Sequence, residues 1–163
     1  MKLSIIAALH NSIDQGISFV KTLNDDQYRY KDIPPFNSSV GTHFRHVLEI
    51  FETLCAQEEL VDFSHRERKV QLEEQVSVAV EFANSLKLVM ETISSWDKEI
   101  LLRDDIGEGN MVSLKATKAV AAMQAISHAN HHYAFMRQLA YSFMKDEASV
   151  DIRFGYNPTS PRD

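Results

Sequence analysis

Apolar residues recur every three or four positions in four separate stretches of the chain, which is the spacing of one face of an α-helix. In the first stretch this repeat runs from Leu3 to Val20, and His10 interrupts it. The third stretch is the most regular, with apolar residues from Leu72 to Ile93 in alternating steps of four and three. The pattern predicts amphipathic helices that each bury one face.

The second predicted helix follows the segment IPPFNSS. Its two prolines disfavour helix, and Asn37, Ser38 or Ser39 can cap the helix that comes next. We predict that this helix runs from about Val40 to Glu58.

The fourth predicted helix runs from about Leu114 to Lys145 and contains the segment SHANHHYAFM. Between Trp96 and Leu114 the helical spacing breaks, and the glycines of DDIGEGN predict a surface connection, with a short hairpin as one option. The last residues, from about 148 to 163, contain two prolines and a glycine and are predicted to be irregular.

These patterns predict an all-α protein, a four-helix bundle, because no stretch shows sustained strand alternation. The connections between the predicted helices are longer than a simple up-down bundle needs, so crossover topology is possible. The length of 163 residues and the 44% of hydrophobic residues predict one domain over residues 1–163.

The amino-acid composition argues against nucleic acids and membranes as binding partners. A formal net charge of -6 argues against nucleic acid, whose binding depends on clustered Lys and Arg. No run of apolar residues is long enough to span a membrane, so no membrane partner is expected. Cys55 is the single cysteine and excludes an internal disulfide, which suits a reducing, cytoplasmic location.

The histidines are the main candidates for chemistry. His128 and His132 are four residues apart on a predicted helix, so their imidazoles can reach one point. His43 and His46 form a second pair on the second predicted helix. Three neutral imidazoles from two helices would hold a divalent metal and leave coordination positions open. The alternative is that hydrogen bonds alone satisfy these histidines.

Several other sites are disfavoured. The HxxxH pair lacks the Glu of a metalloprotease, and the sequence has no Glu-x-x-His, which di-iron carboxylate bundles require. Cys55 is too far along its helix from His46 for a nucleophile and base pair. No glycine-rich phosphate loop or serine nucleophile elbow is present.

Two segments resemble the DinB/YfiT-like superfamily of metal-binding four-helix bundles. SSVGTHFRHVLEIFE is similar to the family's second-helix segment, and HANHHYAF is similar to its last-helix segment. This resemblance implies that His46, His128 and His132 are the metal ligands. It also implies that His43 and His131 lie beside the metal without binding it.

Two further segments resemble one uncharacterised branch of that superfamily. VDFSHRERKVQLE is similar to its VDY-x-x-R-x-R loop, although Phe63 replaces the Tyr, and FGYNPTS is similar to its FG-x-x-P tail. Asp62, Arg66 and Arg68 match the charged positions of the loop. The two arginines either clamp a carboxylate or phosphate at the metal end, or belong to a solvated loop with acidic neighbours.

The resemblance implies a metal-dependent enzyme, either a hydrolase or a thiol-dependent S-transferase. We expect a divalent transition metal, zinc or nickel, and a small-molecule substrate or thiol as partner. Catalytic residues are not assigned, although His43, His131 and Glu49 are candidate proton acceptors. The alternatives are a non-catalytic metal- or small-ligand-binding protein and a protein whose histidines are structural. A homodimer is possible.

Overall fold

In the computed structural model the chain is described over residues 2–31, 37–56, 58–142 and 154–155. Helices occur in all four stretches that the hydrophobic pattern predicts. A short additional helix follows the first, and a 3-10 turn precedes the fourth. The helices are α1 (Lys2–Val20), α2 (Asp25–Arg29), α3 (Val40–Ala56), α4 (Val76–Thr92) and α5 (Lys118–Tyr141), and the 3-10 turn covers Val70–Glu73.

A three-stranded sheet accompanies the helices, so the prediction of an all-α four-helix bundle is wrong. Its strands are β1 (Leu60–Asp62), β2 (Glu99–Asp105) and β3 (Met111–Thr117), in the order β1-β2-β3. β1 pairs with β2 in parallel, and β2 pairs with β3 as an antiparallel hairpin. The described chain is therefore a mixed α and β structure.

The helix boundaries also need correction at two places. Leu114 was expected to begin the fourth helix, but it lies in β3, and α5 begins at Lys118. Leu72 was expected to begin the third helix, but it lies in the 3-10 turn. In both places an apolar residue at helical spacing belongs to the preceding element.

The hydrophobic pattern did not predict the sheet, because its strands are short and their buried and exposed residues alternate only in part. In β2, Ile100 and Leu102 are buried while Leu101 between them is exposed. β3 buries none of its side chains fully, so its sequence carries little periodic signal. The turn between β2 and β3 is easier to predict from the sequence than the strands are. It contains Gly107 and Gly109, which both take positive φ, a conformation that glycine adopts at little cost.

The four long helices pack around a common core, in which α1 and α3 each contact both α4 and α5. At Gly16 of α1, an added Cβ would lie 2.5 Å from a ring carbon of Phe44 and 2.7 Å from the hydroxyl oxygen of Tyr133. The Tyr133 hydroxyl also donates to the Ser12 carbonyl at 2.9 Å. Close packing of this kind holds α5 against the other helices.

The segment from Phe63 to Glu73, which we call the strap, is anchored to α3. The backbone N–H of Lys69 donates to the Glu49 carboxylate at 2.7 Å. The hydroxyl of Thr42 donates to Glu73 at 2.7 Å. These bonds fix the strap beside the helix that carries His46.

Part of the predicted irregular tail packs on the helical core. Phe154 is buried and stacks on Phe19 with ring centroids 4.1 Å apart. Gly155 lies so close to the backbone of Ala134 that it leaves no room for a Cβ atom. The rest of the predicted tail, residues 148–153 and 156–163, lies outside the described residues.

No helix within the described residues combines the length and the apolar character needed to cross a membrane.

Candidate metal centre

Three histidine side chains from α3 and α5 converge in space. The Nε2 atom of His46 lies 2.8 Å from Nε2 of His128, a residue 82 positions away in the sequence. The Nε2 atom of His132 lies 3.0 Å from the same His128 nitrogen. The three ligand atoms all fall within 4.8 Å of one another, close enough to bind one metal ion.

Hydrogen bonding alone does not satisfy this arrangement well. A ring nitrogen of a neutral imidazole carries either one N–H or one lone pair, so it forms one good in-plane hydrogen bond. The His128 Nε2 atom has two ring nitrogens as neighbours, from His46 and His132. A cation would instead accept a lone pair from each ring, and imidazole is a common ligand of zinc and nickel. The donor set therefore fits a divalent transition metal.

The surroundings keep these imidazoles neutral. Burial lowers the pKa of His46 to about 3, and the positive charge of Arg66 adds to the effect. Burial and the neighbouring histidines lower the pKa of His132 to about 2. The pKa of His128 is also lowered, by burial first and then by Arg66. Because a metal binds only the deprotonated ring, the cluster needs no proton loss at neutral pH.

His43 lies behind His132 and contacts it directly. The Nδ1 atoms of the two rings are 2.8 Å apart, and His43 Nε2 lies 2.9 Å from Oγ of Ser38. With Nε2 of His132 facing the other ligands, its Nδ1–H donates to His43, and His43 Nε2–H donates to Ser38. Such outer partners fix the tautomer and orientation of a metal-binding imidazole.

His131 lies outside the group of three clustered histidines. It is exposed, and its ring meets the ring of Phe135 edge-on, with centroids 4.9 Å apart. It also meets the ring of His132 edge-on, at 5.4 Å. His131 therefore offers a natural control for substitutions on α5.

Two of the loop residues predicted near the site, Asp62 and Arg68, form hydrogen bonds with residues of the strap. Asp62 accepts hydrogen bonds from the backbone and hydroxyl of Ser64. Arg68 donates to the carboxylate of Glu73 at 3.1 Å. Glu49, a candidate proton acceptor, is buried and already accepts the N–H of Lys69. These three residues are thus engaged within the strap and its anchor.

A cavity of about 610 Å³ opens beside the histidines. His128 and Arg66 line one part of it, and Ile50 and Phe63 supply apolar surface. The β2–β3 hairpin supplies another wall, including Asp104. The sequence did not indicate the hairpin residues of the cavity, because the glycines of their segment predict a surface connection. Ser38 was likewise considered only as a helix cap.

Comparison with known proteins returned no match for this chain among family models, curated proteins or solved structures.

Proposed function

We propose that the protein is a metal-dependent enzyme that holds zinc or nickel with His46, His128 and His132. The convergence of three imidazole nitrogens at the edge of a cavity carries this proposal. We also propose membership of the DinB/YfiT-like superfamily, since the three clustered histidines are the ones that the resemblance selects.

Three protein ligands leave room for a further ligand on the metal. A metal bound in this way acidifies a water or a thiol, which suits hydrolysis or thiol-dependent group transfer. His128 belongs both to the ligand group and to the cavity wall, so a substrate in the cavity would adjoin the open position. Ile50 and Phe63 would exclude water from one side, and His43 would hold the His132 ring in place.

A non-catalytic metal- or small-ligand-binding protein is the second candidate. The observation that favours it is the state of Glu49, the carboxylate nearest in sequence to the ligand on α3. This side chain is buried and hydrogen-bonded to the strap, so it is poorly placed to accept a proton from a substrate. A metal site whose nearest carboxylate in the sequence is already engaged suits storage or sensing of a ligand.

The first test is the metal content of protein purified without a histidine tag. We expect about one equivalent of a transition metal in the parent and in His131→Ala, and little in a His128→Ala, His132→Ala double variant. Circular dichroism would establish that the double variant is folded. A parent without metal, whose thermal midpoint ignores added zinc or nickel, would show that the histidines are structural.

A second test separates the two candidate functions. Metal-loaded and metal-free protein would be screened for thiol transfer to electrophiles and for hydrolysis of esters and amides. Turnover that requires metal and is lost in the double variant supports the enzyme. Stoichiometric metal without metal-dependent turnover in either screen supports the binding protein.

A further inference from the structure

Arg66 differs from the other arginines near the site in having no polar partner. Arg68 donates to Glu73, and Arg103 lies 3.8 Å from Asp62. Within the part of the chain that the structure describes, Arg66 makes no hydrogen bond and no ion pair, although its side chain is half-buried and lines the cavity.

Three acids act on Arg66 through their charge, but each hydrogen-bonds to another group. Glu49 accepts the N–H of Lys69, and Asp62 accepts from Ser64. Asp104 accepts from the side chain of Gln124 at 3.0 Å. A partly desolvated guanidinium without a hydrogen-bonded anion is costly, and a ligand carboxylate would relieve that cost through paired N–H···O bonds.

Arg66 also lies close to the metal ligands. His128 and Arg66 line the same cavity. A single small molecule in that cavity can therefore meet both the metal and the guanidinium.

We propose that Arg66 binds the carboxylate of a small substrate whose reacting group reaches the metal held by His46, His128 and His132. This inference rests on the metal site proposed above. The cavity favours a ligand with one negative charge over a ligand with several, because Asp104 and Asp105 also line the cavity and would repel a polyphosphate. The substrate class is thus a small monocarboxylate.

The test compares matched thiols on the zinc-loaded protein by calorimetry. Mercaptoacetate and mercaptoacetamide present the same thiol to the metal and differ in charge at the far end. Mercaptopropionate and mercaptopropionamide form a second pair, one carbon longer. We expect at least one of the acids to bind about tenfold or more tightly than its amide, as a charged hydrogen bond provides.

Arg66→Gln should remove the preference for the acid and leave the affinity for the amide within about twofold, because only the carboxylate partner is lost. Arg29→Gln is the matched control, since it makes the same substitution on an exposed side chain that pairs with Asp26. It should keep the preference. An equal preference in Arg66→Gln and the parent, or none in the parent with either pair, would overturn the proposal.

A metal-free arm separates this inference from the metal site. If the protein holds no metal, the proposed function fails, and Arg66 is then tested with butyrate and butyramide by thermal shift. A larger midpoint increase with butyrate in the parent, absent in Arg66→Gln, would support a carboxylate site at Arg66 alone. Equal responses in both proteins would overturn it.

Discussion

His43 connects His132, one of the three proposed metal ligands, to the rest of the protein through two contacts. Its ring lies between His132 and Ser38, with nitrogen and oxygen partners at 2.8 and 2.9 Å. We expect His43→Ala to weaken zinc binding about 10- to 100-fold, because His132 would lose the partner that orients it. Competition with a chromophoric chelator would measure the dissociation constant.

The control for this substitution is His131→Ala on α5. His131 is exposed and lies outside the ligand group, so its loss should leave the affinity for zinc nearly unchanged. An equal loss of affinity in the two variants would contradict the role given to His43.

Gly155 permits a similar test of packing. Gly155 and Gly109 both have φ of +78°, but a Cβ at Gly155 would collide with the α5 backbone, whereas Gly109 has open space. Both alanine variants bear the cost of positive φ, about 1 kcal/mol or more. We expect Gly155→Ala to lower the free energy of unfolding by about 1 to 3 kcal/mol more than Gly109→Ala, as measured in urea. Equal losses would show that this contact contributes nothing.

At the scale of single residues, the spacing of the histidines predicted which side chains could meet but not the roles of their neighbours. The four-residue spacing of His128 and His132 has a fixed geometric meaning on a helix, so their proximity could be predicted. Arg66 and Arg68 lie in a loop, where spacing does not define direction. The structure separates them, since Arg68 pairs with Glu73 and Arg66 lines the cavity.

Among the elements, the strap is held in part through the buried carboxylate of Glu73. Glu73 accepts hydrogen bonds from Thr42 and Arg68 and lies 3.9 Å from the buried guanidinium of Arg45. Glu73→Gln should lower the free energy of unfolding by about 1 to 3 kcal/mol, because it removes the charge that Thr42 and Arg68 bond, while Arg45 keeps Glu49 at 3.8 Å as a second acidic partner. The neighbouring, exposed Glu74→Gln should change it by less than about 0.5 kcal/mol. Similar values for both variants would refute this view of the strap.

The same carboxylate should give the strap an acid dependence. Burial alone would raise the pKa of Glu73, but hydrogen bonds from Thr42 and Arg68, together with the charges of Arg45 and Lys31, hold the pKa below the ordinary 4.5. Its contribution is therefore present above that value and is lost as pH falls through the lower, folded pKa.

Urea unfolding of the parent and of Glu73→Gln across acidic pH would measure this dependence. The difference in free energy of unfolding between them should shrink as pH falls below about 4.5. A difference that stays constant down to the acid limit of folding would contradict an ionised Glu73.

The elements themselves were unequally predictable. Each long helix buries a continuous face, so its period appears in the sequence over several turns. The strands are shorter, and β1 has three residues, too few for a period to be recognised. β1 also pairs with β2, a partner that lies beyond the whole of α4 in the sequence. Local patterns cannot reveal pairing over such a distance.

For the whole molecule, the described residues contain no helix that could span a membrane, as the sequence predicts, but they add a sheet to the predicted bundle of helices. A sheet attached to the helices supplies a wall of the cavity, which helices alone would have left open. The single domain, the small-molecule partner, the lack of nucleic-acid binding and the possible homodimer stay predictions.

The separation of the clustered histidines along the chain has a consequence for folding kinetics. His46 and His128 are 82 residues apart, so their meeting requires the closure of a long loop and the docking of α3 on α5. We expect these contacts to form late in folding. Zinc should then slow unfolding and leave the folding rate nearly unchanged, which stopped-flow mixing with and without the metal would measure.

Faster folding with zinc would instead mean that α3 and α5 meet early and that the metal binds in the folding transition state. In the expected case, the ion would act on the lifetime of the native state. The metal-loaded protein would then stay folded for longer during brief heating or brief exposure to a protease. Its survival would be longer than the free energy of unfolding at the same metal concentration suggests.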